Sequence, residues 1–318
     1  MSRCALALAL AVLPAPLSAQ GLPPYASMNP MVQIRTGLAS LPVAEPGRRW
    51  HFTLLTDYAS NIEYADLPAV RYLMDAELLR IEMTAERSLG GRGFLLAQGS
   101  FQSAGDGFLD GFLNWYHDFT GFQVAARKLR PDNAFGYRIE LADGRSAEYR
   151  PSSGFLGDLR IGAGLRHSRH WQTAFSVTLP TSTGPRGFRK GVPSFNATTT
   201  LRSDFGRRGA FTYEGTLGAG YTATHGDFED LQHTTFLMVT QGIRGRIVGP
   251  LHLYTNLIYH SALYHDTGTR SLDSRELTID AGGMLRFRRG PEWILGLTED
   301  LEPSGPAIDV ALRLGVRW

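Results

Sequence analysis

The last eleven residues constrain this chain most. Ile308, Val310, Leu312, Leu314, Val316 and Trp318 fall on one parity, and Asp309, Ala311, Arg313, Gly315 and Arg317 on the other. Alternation of period two reads as a β-strand with one apolar and one polar face. The pattern recurs upstream. Leu277, Ile279, Ala281 and Leu285 oppose Glu276, Thr278, Asp280 and Arg286, and Trp171, Phe175 and Val177 oppose Gln172, Ser176 and Thr178. Phe211, Tyr213, Leu217 and Tyr221 oppose Thr212, Glu214, Thr216 and Thr222; only Leu231–Val248 is apolar on both parities. Glycine argues against a helical alternative. It makes up 36 of 318 residues, and each one inside a helix costs about 1 kcal/mol relative to Ala.

A secreted sandwich and a membrane barrel both alternate, so the connections decide. Working back from Trp318 they run Asp300–Gly305, Arg289–Gly290, Tyr264–Ser274, Val248–Pro250, Thr224–Gln232, Gly206–Gly209, Pro180–Val192 and Ser168–Arg169. Long and short alternate, as the extracellular loops and periplasmic turns of a transmembrane barrel do. With the C-terminus in the periplasm, Trp50, Trp171, Phe205, Phe211, Phe287, Trp293 and Trp318 share one membrane boundary. Tyr221 and Tyr259 mark the other, completing two aromatic girdles.

The expectation is therefore an all-β fold: an antiparallel transmembrane β-barrel over 50–318 with about twelve strands. They begin near Trp50, Leu78, Gly93, Asp158, Trp171, Ser194, Phe211, His233, Leu251, Arg275, Glu292 and Pro306. A hairpin of Phe135–Leu141 and Arg145–Arg150 would raise the count to about fourteen if it joined the wall. Its short second arm places it in a loop excursion, 102–153. Residues 1–19 read as a cleavable signal peptide: Arg3, the apolar run Ala5–Leu13, then Leu17–Ser18–Ala19. Cys4, the single cysteine, lies in that segment, and export to the bacterial outer membrane follows. Residues 20–49 read as an N-terminal segment at the periplasmic mouth or partly inside the lumen; within it Met31–Leu38 looks strand-like.

Two sets of residues carry candidate function. The segment Asp106–His117 spaces Asp106, Asp110 and Asn114, and also Phe108, Phe112 and Tyr116, at intervals of four. That predicts a short amphipathic helix in an extracellular loop. It either packs its aromatic stripe on the barrel mouth or enters the lumen as a constriction formed by Asp106, Asp110, Trp115 and His117. The inward parity supplies a candidate polar path of mixed charge: Arg160, Arg166, Glu214, Asp280 and Arg313. Catalytic residues, cofactors and metal ligands are not predicted. His167–Ser168 and His260–Ser261 would point to opposite faces of a strand. His225, His233, His260 and His265 lack metal-ligand spacing and read as solvated loop residues. A net charge of +2 gives no basic face for nucleic acid.

The acidic-aromatic segment, with Gly157–Asp158–Leu159 and Leu179–Pro180–Thr181, is similar to a family of predicted outer-membrane proteins of unknown function in Gram-negative bacteria. The resemblance covers most of the chain and implies location and barrel fold without an activity. The function expected is passage or binding of a small solute through a partly occluded lumen. A lipid- or lipopolysaccharide-modifying barrel enzyme with His117 as acid/base and a structural or adhesion barrel are the alternatives. The expected partners are outer-membrane lipids and the barrel assembly machinery, which would engage the strand ending at Trp318.

Overall fold

In the computed structural model, the residues described are 21–43, 49–121, 125–206, 210–287, 290–302, 305–306 and 308–318. The expected signal peptide lies outside them.

Twelve strands form a closed antiparallel wall. They are β1 (Trp50–Asp66), β2 (Val70–Ser88), β3 (Gly93–Gly105), β7 (Leu159–Ser168), β8 (Trp171–Leu179), β9 (Ser194–Phe205), β10 (Phe211–Thr222), β11 (Thr235–Val248), β12 (Leu251–His260), β13 (Glu276–Arg286), β14 (Glu292–Asp300) and β15 (Val310–Arg317). Each pairs with its neighbour, and β15 returns to β1 from Thr53↔Arg317 to Ser60↔Val310. Trp318 adds the last rung: its amide and carbonyl bond those of Phe52 at 3.1 and 3.0 Å, and the two rings stack. Closure leaves no unpaired strand edge in lipid.

Three short strands explain the alternative count of fourteen. The strand β2 has 19 residues and rises past the end of β3 at Gly105, which pairs with Glu77. Above that point its free edge takes β4 (Gly136–Leu141), and β4 takes β5 (Ser146–Glu148). β6 (Ser152–Leu156) covers the upper edge of β3 before the chain turns at Gly157–Asp158 into β7. The hairpin therefore extends the β1–β2 ribbon above the ring and leaves the circumference at twelve.

Side-chain parity follows the alternation within the strands; just ahead of β15 it reverses, Ile308 packing inside beside Met28 and Asp309 lying outside on Arg127. Leu295, Leu312, Leu314 and Phe175 are exposed on the outside, and Arg313, Asp280, Glu214 and Arg160 are buried inside. β11 resolves the two-sided apolar segment: Leu237 faces out, while Phe236 and Met238 are buried inward. Their inward partners come from the N-terminal segment.

Gly21–Val43 runs through the barrel interior, with nearly every residue buried. It starts where Arg317 binds its carbonyls, climbs to α1 (Pro30–Gln33) beneath the β4–β5 hairpin, and descends to Val43 beside Glu214. The two limbs are tied midway, Tyr25 N to Ser40 Oγ at 2.7 Å and Ser40 N to Tyr25 O at 2.8 Å. The strand-like Met31–Leu38 is thus not a strand. Asn29 caps the amide of Met31 at 2.9 Å and Pro30 opens the turn, a sequence that starts a helix. The closed ring also offers no edge for it to join.

A filled interior has a measurable consequence. Leu312→Arg, on the lipid face, should cost about 2–4 kcal/mol. Ala311→Arg points into packed space beside Met28 and Ala59 and should cost at least as much in urea titrations of vesicle-bound protein. A water-filled lumen would tolerate the second change.

Candidate functional site

The lumen is the site, and its chemistry is the holding of the N-terminal segment. Apolar contacts come in four patches. Met31, Val32 and Leu38 pack with Phe236, Met238, Tyr72 and Tyr137. Met28 meets Leu78, Ala59, Ala104 and Ala311. Leu22 meets Leu55, Tyr254, Met284 and Ile294, and Leu41 meets Phe94, Leu96 and Ala174.

Polar contacts hold the backbone. A segment whose only regular structure is the one turn of α1 leaves carbonyls that burial makes costly unless each finds a donor. Long cationic side chains supply donors. Arg80 donates to the carbonyls of Ser27 and Ala26, both at 3.0 Å. Arg317 donates to those of Leu22 at 3.0 Å and Gly21 at 2.9 Å. Lys190, from the loop between β8 and β9, reaches Gln33 O at 2.8 Å and Thr36 O at 2.6 Å. Gln172 Nε2 bonds the carbonyls of Leu41 and Pro42, and Thr200 Oγ1 donates to Leu41 O at 2.9 Å. In the reverse sense, Arg35 of the segment donates to the carbonyls of Thr222, Ala223 and His233 near the extracellular rim. Burial pushes the Lys190 ammonium down to about 7, and the neutral amine would still have two N–H donors for the two carbonyls.

A buried charge network stands behind the first of these clamps. Asp57 accepts from Arg80 at 2.9 Å and from Arg313 at 2.7 Å, and Arg313 also donates to Asp280 at 2.8 Å. Tyr254 OH and Thr298 Oγ1 donate to Asp280 at 3.3 Å. Arg80 is thereby fixed in the orientation in which its remaining donors meet the segment.

The sequence-predicted polar path divides accordingly. Arg313 and Asp280 are brought together. Glu214 instead accepts from the amide of Val43 at 3.3 Å, and Arg160 bonds Ser176 at 2.9 Å and Gln98 at 3.3 Å. Arg166 pairs with Glu86 and covers the ring of Phe94 at 4.8 Å. These are separate clamps and wall pairs around the segment rather than one continuous path. Asp57, Arg317, Gln172 and Lys190 escaped sequence reasoning. The available signal was the apolar inward parity of Phe94, Leu96, Met284 and Ile294, out of place beside water.

The constriction is placed differently from expectation. Helix α2 (Asp110–Thr120) lies against the outside of the wall. Leu109 and Leu113 pack on Val310, with Tyr58 and Leu297 at the margin, and all three wall residues are on the outward parity. Asp110 and His117 are buried on this side. Asp110 pairs with Arg127 at 2.7 Å, and His117 Nε2 lies 3.4 Å from Asp309. Asp106 and Trp115 are exposed. The helix buries the Leu109–Leu113 flank rather than its aromatic stripe, because the outward carboxylates Glu77 and Glu299 accept from the amides of Phe108 and Leu109 and from Tyr116 OH. The inward side chains of the wall are met instead by Gly21–Val43. Among the described residues no group of three or more His, Cys, Asp or Glu side chains could hold a metal ion.

Comparison with known proteins assigns the family. Residues 4–318 match the family described as protein of unknown function, DUF3187. The chain belongs to that family. No curated protein matches it. Among solved structures it is similar in fold to an outer membrane channel from Pseudomonas putida F1, with 12% identity, TM-score 0.51, and 86% of this chain and 96% of that one covered. The translocator domain of the autotransporter NalP from Neisseria meningitidis aligns at 9% identity and TM-score 0.45, covering 87% and 90%. The monoaromatic hydrocarbon channel CymD aligns at 9% and 0.41, covering 91% and 90%. This DUF3187 member thus has the fold of an outer-membrane β-barrel.

Asp57→Ala removes the carboxylate shared by Arg80 and Arg313. Breaking such a buried pair costs about 3–5 kcal/mol. The heat-induced mobility shift of the barrel should fall in temperature, and protease cleavage within 21–43 should begin before the wall unfolds. Unchanged melting would mean the network contributes nothing.

Proposed function

We propose that this protein is an outer-membrane channel for small polar solutes, closed at rest by its own N-terminal segment. The observation that carries the reading is the way the segment is held. Both of its ends lie at the periplasmic side, and its grip on the wall is largely donors on backbone carbonyls. Such bonds depend little on the segment's own side chains. They re-form with water when the segment withdraws, each contributing on the order of 1–3 kcal/mol when the donor is charged.

Between its apolar patches, the wall behind the segment is polar. Asp57, Arg80, Asp280, Arg313, Glu276 and Glu214 would face the opened lumen, with Thr178, Asn196 and Thr278 between them. Mixed charge of this kind suits small hydrophilic solutes. A barrel of about twelve strands lies between side-chain-filled eight-stranded barrels and the open porins of about sixteen, so one internal segment decides whether it conducts. The channel named as a fold neighbour is consistent with this reading. Assembly through the strand ending at Trp318 fits the same account, since that residue completes the closure with Phe52.

Planar-bilayer recordings test it. The intact protein should conduct weakly or not at all, and deletion of 21–43 should give stable channels. Deletion of 105–120 should leave conductance unchanged, since that segment lies outside the wall. A 21–43 deletion that inserts as a closed barrel yet conducts no better than the intact chain would overturn the proposal.

A further inference from the structure

The outer face of α2 has no occupant among the described residues, and its surroundings point to one. An α-helix turns by 100° per residue, which sorts α2 into three flanks. Asp110, Leu113 and His117 form the flank buried against the wall. Gly111, Asn114 and Asp118 form a small polar flank. Phe112, Trp115 and Phe119 form the third, and Phe108 just before the helix extends it. Phe108, Trp115 and Phe119 are 70%, 60% and 78% exposed. Their rings are arranged as a sheet of aromatics: Phe112 to Trp115 and Trp115 to Phe119 at 5.8 Å between centroids, and Phe108 on Tyr58 at 5.0 Å.

The patch is continuous with the lipid-facing wall. Tyr58, Val310 and Leu297, on which the helix rests, share the parity of Leu314 and Leu295, which face the bilayer. The height also matches. Val310 stands eight residues above Trp318 of the periplasmic girdle. At about 3.4 Å per residue and a tilt of about 35–45°, that is a rise of about 19–22 Å, just inside the upper edge of an apolar band about 25 Å tall. At that level the outward parity changes from Leu297 and Val310 to Glu299, Ser60 and Glu77. The helix covers this change. Tyr116, Arg127 and the amides of Phe108 and Leu109 satisfy the polar groups, while the aromatics remain turned outward.

We propose that α2 is an interfacial helix of the outer leaflet, its aromatic flank inserted among lipid acyl chains and its polar flank at the headgroups. Aromatic side chains favour that boundary, and a helix with one apolar and one polar flank lies along it. The loop is then a lateral anchor that fixes the barrel's depth beside β14, β15 and β1. This role is independent of whether the lumen conducts.

Site-directed spin labelling of the full chain in lipopolysaccharide-containing vesicles tests it, with Cys4→Ser and single cysteines at Phe112, Trp115, Phe119, Asp118 and Leu314. Collision with oxygen, which concentrates in lipid, is compared with collision with a water-soluble nickel chelate. Labels at 112, 115 and 119 should favour oxygen several-fold over the label at 118 and approach the value at 314. Preference for the chelate at 115 and 119 would make the patch a water-exposed cap and overturn the proposal. Exclusion of both reagents there would mean that protein covers the patch, and would overturn it equally. Heat-modifiable mobility of each variant confirms that the barrel measured is folded.

Discussion

Backbone groups removed from water must be paired, and that requirement organises both layers of this protein. In the wall it is met by closure, with β15 returning to β1 and Trp318 bonding Phe52. In the lumen no ladder is available, because every strand edge of the ring is already used. The segment 21–43 therefore depends on side chains that reach inward to its carbonyls, and Arg80, Arg317, Lys190 and Gln172 do so from around the circumference. Arginine suits this task because it keeps its charge and offers several donors in a fixed fork.

The charge network and the packing depend on this arrangement. Asp57 would be an expensive buried carboxylate alone; between Arg80 and Arg313 it is compensated and orients Arg80 toward the segment. The apolar side chains of the segment then need apolar partners, which explains why Phe236, Met238, Met284 and Ile294 occupy inward positions in a membrane barrel. Outside the wall the same pairing rule shapes the loop over Glu77 and Glu299. The buried donors and acceptors are satisfied there by backbone amides, Arg127 and Tyr116, so the aromatics are left facing outward.

The wall was legible in the sequence because period-two alternation is local and closure forces it onto both faces. Trp171 to Leu179 and Val310 to Trp318 needed no knowledge of their neighbours. The hairpin around Ala142–Asp143–Gly144 was legible for the same reason, and its place above the ring followed from its length. The lumen was less so. Met31–Leu38 has a strand-like pattern, but its fate was decided by Asn29–Pro30 and by the lack of a free edge, which is a property of the whole ring. The inward apolar residues of β11 held the information that something fills the barrel, and they read only as an ambiguity. Periodicity likewise divided α2 into flanks without revealing which one is buried. That was set by Tyr58, Leu297 and Val310 on strands remote in the chain.

Disulfide trapping across the lumen tests the account most directly. A β-carbon built on Gly37 would stand 2.9 Å from Cβ of Thr178, close enough that a small shift gives disulfide geometry. With Cys4→Ser and cysteines at positions 37 and 178, oxidation of intact outer membranes should link the N-terminal segment to β8 in nearly every molecule. If that pair stays unlinked while cysteines at Thr56 and Leu314, partners across the barrel seam, do link, the segment is not in the lumen and the account is contradicted.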